Sequence, residues 1–93
     1  MKKSSGYEFA KKLHISPSRG MEAVLKAQLI TAVLKEMKKQ HLTHRQMAAR
    51  SGLPRSAVTG ILSGSLQKIT IDRVLRLVEA VNLTAEIKLK KVA

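Results

Sequence analysis

The stretch Thr43 to Gly64, Thr-His-Arg-Gln-Met-Ala-Ala-Arg-Ser-Gly-Leu-Pro-Arg-Ser-Ala-Val-Thr-Gly-Ile-Leu-Ser-Gly, predicts two short helices and the turn between them. Thr43 is placed to cap the first helix. Gln46, three residues on, completes a capping box in which each side chain satisfies an orphan backbone donor. Leu42 and Met47 stand at the N′ and N4 positions of a hydrophobic staple, which sets the angle at which the chain meets the helix. Gly52 ends the helix after about two turns, because glycine takes the left-handed conformation without a Cβ penalty. Pro54 opens the second helix, where its missing N–H removes no hydrogen bond. There Ala57, Val58, Ile61 and Leu62 face one way, and Arg55, Ser56, Thr59, Gly60 and Ser63 face the other. Ser63-Gly64-Ser65 stops it.

Upstream, Met21 to about Gln40 carries a 3.6-residue period. Leu25, Leu29, Val33 and Met37 recur every fourth residue, and Ile30 with Leu34 widens the stripe. This predicts a long amphipathic helix with Lys26, Lys35, Lys38 and Lys39 mostly off the apolar face. Downstream, Thr70 caps a further helix, with Ile69 and Val74 as a second staple and Asp72 suited to the N-terminal dipole. Its apolar stripe is Ile71, Val74, Leu75, Val78 and Val81, and it ends at Asn82. Residues 1–20 are rich in serine and lysine and hold Pro17 and Gly20. They predict a flexible basic N-terminal arm, with Phe9 and Leu13 spaced to dock a short turn onto the domain.

From Leu83 the period falls to two. Leu83, Ala85, Ile87 and Leu89 alternate with Thr84, Glu86, Lys88 and Lys90, which predicts a half-buried strand; a helix that happens to alternate is the other reading. Leu13–Ile15 is the only candidate partner within the chain. The simpler solution pairs the strand with its copy in a second subunit across a two-fold axis, so Ala85, Ile87 and Leu89 are expected to carry dimerisation. The expected layout is an arm at 1–20, a DNA-binding domain at 21–82 and a dimerisation strand at 83–93.

Eighteen Lys and Arg against six Asp and Glu give the 93-residue chain a formal charge of +12. Residues 1–20 hold five bases and one acid; the rest keeps thirteen against five, a charge of +8, so the positive field belongs to the folded part. Such a field attracts nucleic acid or an anionic membrane surface, and is otherwise a solubility device. A chain of this size buries only roughly 60–65% of the surface it exposes unfolded. Tyr7 and Phe9 are the only aromatics, so the core is left to Leu, Ile, Val, Met and Ala. Without cysteine there is no disulfide, thiol nucleophile or Cys-ligated metal. The basic start is not followed by the apolar run of a secretory signal, and no window approaches the ~20 apolar residues of a membrane span. A cytoplasmic protein is expected.

Two short helices joined by a tight glycine turn form a helix-turn-helix motif. Ala48 is small where the helices cross, and Val58 with Ile61 pins the second helix to the core. Small polar groups and one guanidinium at an exposed helix start suit the floor of a DNA major groove. On these residues the stretch resembles the Xre/Cro-type helix-turn-helix of phage repressors, and the likeness runs on through Ile69 to Leu83, where that fold carries its next helix. The end strand, Ala85–Lys91, resembles the antitoxin subset, the HigA-like and HipB-like members of toxin–antitoxin pairs. The resemblance covers about 70 of the 93 residues.

That resemblance implies an all-α, lambda-repressor-like helix-turn-helix bundle of four to five helices, with a C-terminal β-strand paired across a homodimer. It implies a sequence-specific repressor of a palindromic operator in double-stranded DNA. In the antitoxin form it represses its own operon and neutralises a toxin; the alternative is a stand-alone or phage-type repressor without one. Backbone contacts fall on His44 and Arg45, and base contacts on Arg55, Ser56 and Thr59, with Gly60 on the same face. The loop from Ser63 to Lys68 meets phosphate again through Gln67 and Lys68. Pro54 stands where the family usually has Ser or Thr, which removes one hydroxyl contact. Gly60 stands where a long side chain often reads a base, so readout leans on Arg55. A charge of +12 repels a basic RNA-cleaving toxin of the RelE/HigB-like kind and suits an acidic partner, such as a HipA-like kinase.

Each residue also has a plainer use. Arg55 can clamp a phosphate or sit in solvent. His41 and His44 straddle a helix start with no third ligand near, which predicts surface histidines rather than a metal site. Asp72, the only aspartate, serves its helix. Glu22, Glu36, Glu79 and Glu86 lack paired spacing, and no phosphate-binding glycine loop precedes a Lys-Ser/Thr pair. Neither an enzyme nor a cofactor is expected. A basic protein-binding or membrane-surface module, in which the motif is only structural, is the remaining competitor.

Overall fold

A computed structural model describes residues 6–92. Five helices follow one another: α1 (Gly6–Leu13), α2 (Pro17–Gln40), α3 (His44–Ser51), α4 (Arg55–Leu62) and α5 (Ile71–Ala80). The expected helical bundle is present, with α3 and α4 as its motif. Ser16 starts α2 four residues earlier than the periodicity implies, its side chain accepting from the Arg19 N–H at 3.3 Å ahead of Pro17 in the first turn. At the other end His41 turns left-handed, with φ 55°, and stops the helix.

The expectation of a flexible arm needs correction over residues 6–20; residues 1–5 lie outside the described residues. The segment 6–13 is a helix packed along the start of α2, and Ala10 is fully buried there. Two glycines make this approach possible. A Cβ on Gly20 would lie 2.3 Å from the Ala10 Cβ and 2.4 Å from the Gly6 carbonyl oxygen, and one on Gly6 would overlap the Met21 backbone. Composition marks serine and glycine as loop formers, but here glycine serves contact between helices.

The core draws on every later element: Ile30, Val33 and Met37 of α2, Met47 of α3, Leu53 of the turn, Val58, Ile61 and Leu62 of α4, and Val74, Leu77, Val78 and Ala80 of α5, with Val81 behind it. Two stripes are rotated from their expected positions. In α5 the buried line is Val74, Leu77, Val78 and Val81, while Leu75 is 42% exposed. In α2, Leu34 is also 42% exposed, and Lys26 is buried one turn before Ile30. Both expected and observed stripes obey the helical period; neighbouring elements select between them.

The predicted strand is not formed. Leu83 packs on the core and its N–H donates to the Val78 carbonyl at 3.1 Å. Beyond it the chain is exposed through Val92, with no strand among the described residues. The supposed partner is unavailable because Leu13 ends α1 as helix. A strand needs a second ladder, and this single chain provides none.

The close α1–α2 contact yields a direct test. Gly20→Val is expected to force α1 off α2 and to lower unfolding free energy by about 1–3 kcal/mol in a denaturant titration. Unchanged stability would contradict the contact.

Candidate nucleic-acid interface

The motif is secured from both ends. Thr43 Oγ1 accepts from the Gln46 N–H at 3.1 Å, and Gln46 Oε1 accepts from the Thr43 N–H at 2.8 Å. The capping box is therefore complete. Gly52 sits at φ 75° and donates its N–H to the Ala48 carbonyl at 3.0 Å, so the turn uses the freedom that glycine alone supplies cheaply. Ser51 Oγ then accepts from the Leu53 N–H at 3.2 Å, holding the chain as it enters α4. Further along, Arg50 donates to the Ala80 carbonyl at 3.2 Å and ties the end of α3 to the end of α5.

Val58 and Ile61 are fully buried, which fixes the rotation of α4. Residues Arg55, Ser56 and Thr59 consequently point to solvent, and Arg45 is exposed in the first turn of α3. Pro54 occupies the N-cap of α4 rather than its first turn, and no side chain caps that end. The first N–H groups of α4 thus remain available to an oxygen acceptor from outside.

The fold brings two of the predicted residues together: His44 Nδ1 and Thr59 Oγ1 lie 3.0 Å apart, a hydrogen bond across the motif whose donor depends on the imidazole tautomer. Ser63 is exposed, and its hydroxyl donates to the Gly60 carbonyl at 2.9 Å, one turn back along α4. Gln67 and Lys68 are exposed in the α4–α5 loop. Among the described residues, Arg45, Arg55 and Lys68 take part in no ion pair. Ala85, Ile87 and Leu89 are exposed in the C-terminal segment, which has no regular secondary structure, and lie outside the motif.

Lys26, expected off the apolar face, is buried instead. Its ammonium is 2.5 Å from Glu22 Oε1 and donates to the Leu66 carbonyl at 3.3 Å. The available signal was its spacing, on a line with Ile30, Val33 and Met37, with Glu22 one turn before. The Lys26 hydrogen bond, and then its charge, hold the Glu22 carboxyl below the ordinary carboxylate range. A carboxyl lowered on folding contributes stability that is fully present above its ordinary, unfolded range and is lost as pH falls through the lowered folded one.

Gly60 is half-buried, yet a Cβ there would meet nothing within 4 Å. Nothing inside the protein requires a glycine at this position. Gly60→Ala is expected to raise stability by about 0.5–1 kcal/mol in denaturant titration, the ordinary helix-propensity gain. A loss of stability would mean the backbone at this point is not ordinary helix.

A family model for a helix-turn-helix domain matches residues 8–90. No curated protein and no solved structure is a significant match. The matched span begins inside α1, so that helix is part of the domain rather than an appendage. It continues through the capped α3, the Gly52 turn and the outward face of α4, the arrangement of a DNA-binding regulator. The chain belongs to the helix-turn-helix domain family.

Proposed function

We propose that this chain is a sequence-specific transcriptional repressor, acting as a homodimer on a two-fold-symmetric operator in double-stranded DNA. The observation that carries this reading is the orientation of α4, with Val58 and Ile61 buried and Arg55, Ser56 and Thr59 exposed. A guanidinium at the start of an exposed helix can donate two bonds to the O6 and N7 of guanine in the major groove. Flanking phosphates would be met by His44 and Arg45 on one side and by Gln67 and Lys68 on the other, and the +12 charge supplies the attraction. The His44–Thr59 bond joins the helix facing the backbone to the helix facing the bases. The reading has no catalytic step and places the protein in the cytoplasm, where its operator lies.

Dimerisation is assigned to the C-terminal segment. Ile87 is 69% exposed and Leu89 is 91% exposed, on backbone with no ladder of its own. A segment without regular structure that carries alternate apolar residues suits strand addition to a second copy. Half-sites are then expected about one helical turn, ~34 Å, apart. The finer role, antitoxin of a type II pair, rests on the resemblance. It calls for a second, non-identical chain when the protein is purified from its native cells; purification alone favours the stand-alone repressor.

Binding-site selection from random DNA, followed by titration at several salt concentrations, tests the main reading. A clear sequence preference is expected, with a slope of about −0.9 per phosphate neutralised. Arg55→Ala should weaken the selected site by ~1–3 kcal/mol and relax one position, whereas Lys68→Ala should weaken all sequences alike. Equal affinity of the native chain for every sequence would remove the repressor reading. For the subunit contact, Ile87→Asp is expected to sediment as a monomer at concentrations where the native chain is dimeric; a persistent dimer would place the contact elsewhere.

A further inference from the structure

Lys26 is 3% exposed, the only buried charged side chain among the described residues. An ammonium in this position is a poor stabiliser, because desolvation offsets most of what pairing returns, and an apolar residue of similar volume commonly does as well or better. Its partners explain what it does instead. Glu22, one turn earlier on α2, lies 2.5 Å from the ammonium. The second partner, the Leu66 carbonyl, belongs to the α4–α5 loop, forty residues away in the chain. That oxygen also accepts the Ile69 N–H at 3.3 Å, so it receives one bond from α2 and one from within its own loop. The Leu66 side chain packs against the core, and the next two residues are the exposed Gln67 and Lys68.

We propose that Lys26 is a positioning residue for DNA binding: steered by Glu22, its ammonium holds the Leu66 carbonyl and so sets the backbone from which Gln67 and Lys68 meet the phosphates. This rests on the DNA-binding reading above. Lys26 itself touches no DNA. Without it the Leu66 carbonyl keeps only its local bond, which turns with the loop and cannot hold it against α2.

The experiment compares the full-length chain with Lys26→Met and Lys26→Arg, by denaturant titration and by binding to the DNA site that the native chain selects. Lys26→Met should keep or raise the unfolding midpoint while weakening the selected site roughly tenfold, the loss of one charge-assisted bond. Its salt slope should be shallower by about one phosphate, as for Lys68→Ala. Adding Lys68→Ala to Lys26→Met should then cost little more, because coupled sites do not add. Lys26→Arg retains a donor for Leu66 and should recover most of the affinity.

Native affinity in a folded Lys26→Met chain overturns the proposal. So does a loss matching only its unfolded fraction, or an undiminished effect of Lys68→Ala in that background. Should Lys26→Met fail to fold, Glu22→Gln loosens the same ammonium from the surface side and is expected to weaken binding in the same direction; unchanged binding by that variant overturns the proposal too. A native chain that selects no sequence overturns the DNA-binding reading and this proposal together. A selective native chain with an indifferent position 26 overturns this proposal alone.

Discussion

The burial of one edge of α4 governs everything else in this protein. Eight residues of helix carry three fully or nearly buried aliphatic side chains, Val58, Ile61 and Leu62, and so small an element has little stability of its own. It exists because Met47 of α3, Leu53 of the turn and α2 provide a surface on which that edge is taken out of water. Once the edge is buried, the rotation of α4 has no freedom left. Arg55, Ser56 and Thr59 face outward as a consequence of what Val58 and Ile61 do inward.

The scaffold around α4 removes the remaining freedoms one by one. The capping box starts α3, Gly52 reverses the chain and Ser51 fixes the approach to Leu53. Arg50 and Gln40 both reach carbonyls at the end of α5, at Ala80 and Val81. Each is a polar side chain satisfying a helix-end acceptor that would otherwise lack a partner. α2 acts as the beam to which both ends are joined. Its C-terminal half carries core residues, and its N-terminal half carries α1 through Gly20 and the α4–α5 loop through Lys26.

Much of this was readable from residue order. The Thr43–Gln46 box, the Gly52 turn, the Thr70 cap and the alternation of faces in α4 depend on contacts within a few positions, and all took their expected form. The candidate interface was equally accessible, since His44, Arg45, Arg55, Ser56, Thr59, Gln67 and Lys68 sit in or beside those local elements. The meeting of His44 with Thr59 was not, because it depends on the crossing of two helices. Nor was the bond of the Ser63 hydroxyl to the Gly60 carbonyl, which solvent could have satisfied as well.

Local order settled which segments are helical and where most of them start and stop, because capping, turning and the 3.6-residue period are properties of near neighbours. Tertiary packing decided the rest. It made residues 6–13 a docked helix, exposed Leu34 and Leu75 while burying Leu77, and drew Lys26 off the solvent side toward Leu66. It also left the 84–92 segment without a ladder. In each case two or more arrangements satisfied the local rules equally, and the choice fell to neighbours far away in the chain, which periodicity does not encode.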